Sequence, residues 1–272
     1  MTYRLGWFST ARGGGSRALL KTAQDSIQRG EIKAEIAFVF CSREPGESEE
    51  TDLFIEQVKS YHIPLVCFSY QKFKAKYGSR VKVGTTPPWR LDYDREVMKR
   101  LDSFHPDLCV LAGYMLVVGP EMCRKFDMIN LHPAAPTGPK GTWQEVIWEL
   151  IDNKATETGV MMHSVTPELD RGAVVAYCTF SIRGEPFDKL WQKIAKLPKD
   201  SSEWGETRET LFNLIRQHGL SREFPLIIAT IKSFSEGKVK ITPDKQVLDE
   251  QGKPIMGYNL TEEIDRQMNI SL

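Results

Sequence analysis

The sequence predicts an open α/β fold, with a mostly parallel sheet flanked by helices. Short apolar runs alternate along the 272 residues with segments of helical periodicity, which is the pattern of repeated β–α–β units. Several runs, such as residues 34–41, are almost continuously apolar, as expected for strands buried on both faces of a parallel sheet. A chain of this length is able to form a core that encloses an active site.

The elements follow one another from the N-terminus. The predicted strands cover residues 3–9, 34–41, 63–68, 108–113, 128–132, 160–165 and 173–182. The predicted helices cover residues 16–28, 49–61, 91–104, 120–126 and 143–151, and a loop is predicted over 83–89. Ser16 is a typical N-cap residue, and the proline at position 120 is of the kind favoured in a first helical turn. The chain is therefore expected to build its sheet before residue 183.

We divide the chain at residue 182. Residues 1–182 form the predicted α/β core, and residues 183–272 form a mainly helical C-terminal part that packs on it. A polar stretch covers residues 196–205, and a terminal hairpin is predicted around Pro243 and Asp244. Proline followed by aspartate is a common turn sequence.

Composition excludes several classes of protein. Lys plus Arg and Asp plus Glu both number 36, so the basic excess of a typical nucleic-acid binder is missing. No segment reaches the roughly 18 apolar residues of a membrane span, and the N-terminus does not resemble a secretory signal. The five cysteines contain no CxxC pair, which favours reduced, buried thiols. These features predict a cytoplasmic protein that acts on small molecules.

A glycine-rich turn, Gly13–Ser16, lies between the first strand and the first helix. This arrangement presents backbone N–H groups to an anion, and glycines let a phosphate approach closely. Arg12 and Arg17 flank the turn. The sequence matches neither of the common phosphate-loop patterns, so a tight turn without a ligand stands as the alternative.

Polar residues at the end of the fifth strand suggest carbonyl chemistry. Asn130 and His132 are two residues apart, so both side chains point to the same face of a strand. An amide stabilises a developing oxyanion, and an imidazole donates or relays a proton. Downstream lie His163 and Asp170, and a carboxylate near His132 would favour its charged form. Taken singly, each has a bland alternative: a structural histidine, or a turn aspartate.

These segments together resemble the folate-dependent formyltransferase family. The resemblance rests on Gly13–Ser16, Leu111–Met115, Ile129–Pro133 and the segment from His163 to Gly172, and it spans roughly residues 3 to 182. It implies a Rossmann-like formyltransferase fold. It also implies 10-formyltetrahydrofolate as co-substrate and no metal.

The resemblance assigns roles to individual residues. The implied catalytic set is Asn130, His132 and Asp170, with His163 behind them. The implied binding residues are Gly14, Gly15, Ser16 and Arg17 for the acceptor phosphate, Met115 and Pro133 for its ribose, and Arg90, Tyr114, Leu116, Val117, Val118, Thr166 and Glu168 for the folate. The run from Tyr114 to Val118 has a simpler interpretation as core beyond a strand.

The resemblance specifies the donor more closely than the acceptor. The resemblance favours the amine of 5′-phosphoribosylglycinamide, in purine biosynthesis. Arg17 and Trp143, however, stand where the family commonly has asparagine and histidine, and Leu220 stands where an acidic residue is expected. An amino sugar nucleotide therefore stays an alternative acceptor, as do hydrolysis of the formyl folate and a binding module without turnover. Initiator methionyl-tRNA is disfavoured because residues 221–272 lack a basic excess. Monomer and homodimer are both left open.

Overall fold

The structure is a computed structural model, and it describes residues 2–76 and 88–268. Of the loop predicted over 83–89, residues 83–87 lie outside these ranges. The strands are β1 Tyr3–Ser9, β2 Ala34–Cys41, β3 Leu65–Cys67, β4 Leu108–Leu111, β5 Met128–His132, β6 Glu157–Ser164, β7 Val174–Ser181, β8 Val239–Ile241, β9 Val247–Asp249 and β10 Tyr258–Asn259. The helices are α1 Gly14–Gln28, α2 Glu49–Ser60, α3 Tyr70–Ala75, α4 Pro88–Arg100, α5 Pro120–Lys125, α6 Trp143–Asp152, α7 Asp188–Lys196, α8 Ser202–Ser235 and α9 Thr261–Gln267.

The main sheet contains eight strands of the described part of the chain, and β8 and β9 form a separate antiparallel pair. β1 pairs in parallel with β2 on one side and with β4 on the other. The pairs β2–β3, β4–β5 and β7–β10 are also parallel. This mostly parallel sheet with helices around it confirms the predicted fold class.

The strand order reverses between β1 and β4. From β1 the chain adds β2 and then β3 on one side, and it crosses to the other side for β4 and β5. Such a switch point opens a crevice beyond the carboxyl ends of the two strands, where ligands bind in open α/β sheets. The glycine-rich turn follows β1, and the stretch from Gly113 follows β4. Both predicted binding segments therefore begin at the switch point.

The contacts of the chain divide it into two compact units. The first contains Met1–Leu131, His163–Ala173 and Ile231–Pro254. Its core is aromatic: the Phe8 ring packs edge-on against Phe38 and Tyr114, with 5.7 Å between centroids in each pair. Edge-on aromatic pairs contribute about 0.5–1.5 kcal/mol each beyond the area that they bury. The first unit thus has its own core around β1 and β4.

The hairpin β8–β9 belongs to the first unit and lies where the sequence predicted a hairpin. Its turn residue Lys245 donates from Nζ to the Phe126 carbonyl at 3.0 Å and to Asp127 Oδ1 at 2.7 Å. The Lys245 carbonyl accepts a hydrogen bond of 3.1 Å from Ser164 Oγ. One residue of the hairpin therefore holds both the segment before β5 and the end of β6.

The second unit contains His132–Met162, Val174–Thr230 and Ile255–Leu272. It is mainly helical, and the predicted helical C-terminal extension is confirmed by α7 and the 34-residue α8. Trp191 of α7 donates from Nε1 to the Ile182 carbonyl at 2.6 Å, and Phe212 of α8 stacks on Trp148 at 4.5 Å. The predicted boundary at residue 182 stays a prediction. None of the helices in residues 2–76 and 88–268 contains an apolar stretch of the length that spans a bilayer.

Candidate active site

The glycine-rich turn opens α1 with free space beside it. The helix begins at Gly14, and Gly13 is an extended N-cap residue without a side-chain hydrogen bond. A Cβ atom added to Gly13 or Gly15 would meet no described atom within 4 Å. The first N–H groups of a helix lack intrahelical partners and carry a partial positive charge. The turn is therefore able to receive an anion such as a phosphate.

The loop before the turn is tied to the end of β4. Thr10 donates its N–H to the Gly113 carbonyl at 3.0 Å, and Met115 donates its N–H to Thr10 Oγ1 at 2.9 Å. Gly113 has a φ of +71°, and a Cβ there would lie 2.8 Å from Ser16 Oγ. Only glycine meets both conditions without strain. These contacts fix the turn against the segment that follows β4.

Arg17 is directed to a partner within the first unit. Its Nη1 atom pairs with Glu50 Oε2 of α2, and its carbonyl accepts a hydrogen bond of 3.0 Å from Gln57 Nε2. Gly14, Gly15 and Ser16 lie together at the start of α1, as the sequence predicts. The positive charge that Arg17 offers to a phosphate is partly neutralised, because a carboxylate already contacts its guanidinium.

Asn130, His163 and Asp170 meet in the first unit. His163 Nε2 lies 3.2 Å from Asn130 Nδ2 and 3.6 Å from Asp170 Oδ1. His163 Nδ1 lies 2.9 Å from the Ser164 carbonyl, which is only an acceptor, so Nδ1 carries a proton. In the neutral ring, Nε2 then accepts an N–H of the Asn130 amide. In the charged ring, Nε2 donates toward Asp170.

Asp170 occupies a tight turn. Its φ is +52°, in the left-handed region that aspartate tolerates better than most residues. The turn is closed by the hydrogen bond of 2.8 Å from the Ser164 N–H to the Ala173 carbonyl. The Asp170 side chain is 7% exposed. Asp170 is thus both a turn residue and a buried carboxylate beside an imidazole, so the two sequence interpretations are compatible.

We expect Gly172→Ala to destabilise the protein by about 3 kcal/mol or more. An added Cβ would lie 1.5 Å from the Ser164 carbonyl oxygen, so the backbone of the turn would have to move. Urea denaturation measures the change. Gly205→Ala is the matched control: its Cβ meets no described atom within 4 Å in helix α8, so it should stabilise the protein by about 0.5–1 kcal/mol. Equal stabilities of the two variants would contradict the crowding at Gly172.

His132 ends strand β5 and belongs to the second unit. It is 3% exposed, and its Nε2 atom lies 3.1 Å from the Pro139 carbonyl. Since that carbonyl only accepts, Nε2 carries a proton in this arrangement. The loop after β5 therefore holds the imidazole of His132 in a defined tautomer.

The residues predicted to bind folate fall into three groups within the first unit. Tyr114 and Val118 are core residues, as the simpler interpretation has it. Leu116 and Thr166 are half-buried, and Val117 and Glu168 are exposed. Met115, which is predicted to contact the acceptor ribose, is exposed in the same stretch. Pro133, the other residue predicted to contact the ribose, is half-buried and belongs to the second unit. The run after β4 thus combines core and accessible side chains.

Arg90 lies inside the core, although the sequence analysis places it against the folate. Its side chain is 4% exposed, and its Nη1 atom lies 2.7 Å from Asp94 Oδ1. Its partner Asp94 was not among the predicted site residues. The available signal was the spacing of four residues between opposite charges, which places both side chains on one helix face.

Residues 13–199 match the family model described as formyl transferase, which is more than half of the chain. The chain belongs to the formyl transferase family. The enzyme is 28% identical over 244 residues to the phosphoribosylglycinamide formyltransferase of Haemophilus influenzae, which covers 88% of this chain and 92% of that protein.

Solved structures share the fold of this formyltransferase. Glycinamide ribonucleotide transformylase 1 of Symbiobacterium toebii superposes with a TM-score of 0.64 at 20% identity, over 90% of this chain and 93% of that one. The phosphoribosylglycinamide formyltransferase of Coxiella burnetii, in complex with CHES, gives a TM-score of 0.66 at 22% identity, over 95% and 99%. At these identities the likeness concerns the fold. Among the described residues of the enzyme, no group of three or more side chains is arranged to hold a metal ion.

Proposed function

We propose that this formyltransferase moves the formyl group of 10-formyltetrahydrofolate to the amine of 5′-phosphoribosylglycinamide, a step of purine biosynthesis. The observation that carries the proposal is the contact of Asn130 and Asp170 with His163, in a chain that belongs to the formyl transferase family. The similarity to the phosphoribosylglycinamide formyltransferase of Haemophilus influenzae supports the choice of acceptor.

The proposed catalytic set is Asn130, His132 and Asp170. The acceptor amine attacks the formyl carbon, a C–N bond forms, and the carbonyl electron pair moves to the oxygen. Asn130 and protonated His132 stabilise that oxygen. When the intermediate collapses, the bond to the folate nitrogen breaks, and the proton lost by the amine reaches that nitrogen. The Asp170 carboxylate, as part of the proposed catalytic set, assists this proton transfer.

The contact with His163 supports the role of Asn130. An amide carries two N–H groups on Nδ2. When His163 Nε2 accepts one of them, at 3.2 Å, the second has a fixed direction and serves as the oxyanion donor. A preorganised donor costs no reorganisation when charge develops on the oxygen. We therefore assign to His163 the role of orienting the Asn130 amide.

The remaining assignments are proposals of the same kind. The acceptor phosphate binds at Gly14, Gly15 and Ser16 with Arg17 beside them, and Met115 and Pro133 line its ribose. The folate binds against Leu116 and Val117 and against the turn of Thr166 and Glu168, while Tyr114 and Val118 support this surface from the core. The space beside Gly15 supports the phosphate assignment.

Gly15→Ala tests the phosphate assignment. The added methyl group meets no described atom within 4 Å in the free protein, so the stability should not fall. A phosphate held by the turn would collide with it, and KM for the acceptor should rise on the order of tenfold, the size of one lost charged hydrogen bond. KM for the folate should stay unchanged. If the acceptor KM is unaffected, the phosphate binds elsewhere.

A panel of acceptors tests the function itself. The protein is incubated with 10-formyltetrahydrofolate and either 5′-phosphoribosylglycinamide, an amino sugar nucleotide, or no amine. Formylated product and free formate are measured by mass spectrometry. Formylation of 5′-phosphoribosylglycinamide is expected. If only the sugar nucleotide is formylated, it is the acceptor in place of 5′-phosphoribosylglycinamide. Formate release without an amine would indicate a hydrolase.

A further inference from the structure

A buried ion pair in helix α4 has no role in the proposed chemistry. Arg90 and Asp94 lie one turn apart, their side chains are 4% and 2% exposed, and 2.7 Å separates Nη1 from Oδ1. Burying two charges costs several kcal/mol per ion, and an apolar pair of similar volume is often as stable. Stability alone is therefore a weak explanation for this pair.

Asp94 reaches beyond its helix with its second oxygen. Its Oδ2 atom accepts a hydrogen bond of 2.7 Å from the N–H of Gly119, the residue just before α5. A Cβ on Gly119 would lie 2.7 Å from Leu91 Cδ2 and 2.9 Å from Asp94 Oδ2. The backbone at Gly119 is thus closely packed against side chains of α4. A hydrogen bond to a carboxylate is about twice as strong as one between neutral groups.

The segment before Gly119 is also held at its other end. The Met115 N–H donates to Thr10 Oγ1 at 2.9 Å, and the Tyr114 ring packs against Phe8. Between these anchors, Met115 and Val117 expose apolar side chains, at 44% and 39% of their surface. Residues 115–118 therefore form a short accessible bridge with both ends fixed.

Arg90 supports the charge of Asp94. Burial raises the pKa of Asp94, while the guanidinium of Arg90 and the N–H of Gly119 act in the opposite direction. The Arg90 guanidinium lies over the Tyr93 ring, 5.2 Å from its centroid. Arg90 therefore favours the ionised carboxylate that Gly119 contacts, from a position inside the core.

We propose that Asp94 is a positioning residue, which fixes the bridge 115–118 through Gly119 so that the folate meets a preformed surface, and that Arg90 acts through Asp94 rather than by touching the folate. The inference rests on the proposed function, since it takes the bridge as part of the folate surface.

Two double variants separate positioning from stability. Arg90→Met/Asp94→Asn and Arg90→Met/Asp94→Leu both remove the buried charges and keep similar volumes. Only asparagine is able to accept the Gly119 N–H. We expect the leucine double variant to bind 10-formyltetrahydrofolate about tenfold more weakly than the asparagine one, in KM and in direct binding. KM for the acceptor should change less than KM for the folate, because Met115, the bridge residue assigned to the acceptor ribose, is held separately by Thr10. Equal folate affinity of the two variants overturns the proposal.

A measurement on the wild-type protein needs no variant. The Gly119 amide should exchange slowly with deuterium in the absence of folate, because a buried carboxylate holds it; rapid exchange overturns the proposal.

For the double variants the control is Asp92→Asn, an exposed change on the same helix, which should leave folate binding unchanged. If the wild-type protein neither binds nor uses the formyl folate, the proposed function fails as well. If the wild-type protein binds and uses the formyl folate but the two double variants have equal folate affinity, only the positioning role of Asp94 fails.

Discussion

His132→Ala is expected to lower kcat by about 10²- to 10⁴-fold, the usual range for the loss of a general acid–base group. His132 ends strand β5 and is almost completely buried, and its Nε2 proton is held by the Pro139 carbonyl. In the proposed mechanism, its charged form stabilises the formyl oxygen, an interaction that strengthens only as the tetrahedral intermediate forms. The loss should therefore appear in kcat rather than in either KM. Steady-state kinetics with both substrates varied measures this.

Two further variants distinguish the loss of proton transfer from a structural effect of the substitution. His132→Gln keeps an N–H donor for the Pro139 carbonyl but transfers no proton, so it should lose about as much activity as alanine. His105→Asn changes an exposed histidine whose φ of +46° suits asparagine, and it should leave kcat unchanged. Activity of His132→Ala within about tenfold of wild type would contradict the acid–base role.

Asn130→Ala is expected to lower kcat by about 10²- to 10³-fold, as for the removal of one oxyanion donor. The amide contacts His163, whose other ring nitrogen donates to the Ser164 carbonyl. Loss of the amide therefore removes the donor and leaves His163 without that contact. Single-turnover kinetics isolates the chemical step and should show the whole loss there, with folate binding nearly unchanged.

The control for this change is Asn153→Ala, at the exposed C-cap of α6, which should leave kcat unchanged. The double variant of Asn130 and His132 should lose less than the product of the single losses, because both groups act on the same oxygen. Fully multiplicative losses would mean that the two residues act in separate steps. A loss below about tenfold for Asn130→Ala would remove it from the catalytic set.

The strands β1, β2 and β5 follow from the sequence because each is a short segment of mainly apolar residues. The bounds of β1, β2 and β5 agree with the prediction. β3 is shorter than predicted: it begins at Leu65, after Pro64, which has no N–H to donate to a sheet. The strand order and the switch point between β1 and β4 depend on contacts between distant segments. Local periodicity carries no information about such contacts.

The helices show where local signals were available and where they were not. The short helix α3 was missed, although Ser69 caps it by accepting the Lys72 N–H, and serine is a recognisable start signal. α8 continues through Pro225 as a single helix of 34 residues. Proline normally marks a break, so the sequence gives no reason to join the two halves. The strand β10 is too short to predict from alternation.

The candidate site was predictable where residue type determines chemistry. Asn130, His132 and Asp170 were chosen as the catalytic set for their functional groups, with His163 behind them. In the structure, the imidazole that contacts Asn130 and Asp170 is that of His163. The partner of Arg17 is Glu50, 33 residues away, and the burial of Arg90 depends on how α4 packs. Neither the direction of a long side chain nor its burial is encoded by the residue itself. The partner of Arg17 and the burial of Arg90 could therefore be found only from the structure.

The hairpin that holds Lys245 also bears on how the protein is assembled during synthesis. Its hydrogen bonds reach Phe126, Asp127 and Ser164, which flank Asn130 and His163, but Lys245 is translated 81 residues after Ser164. Chains fold progressively as they leave the ribosome. A nascent chain that already contains every proposed catalytic residue would still lack this support, so it would acquire its final rigidity only after Lys245 has been added.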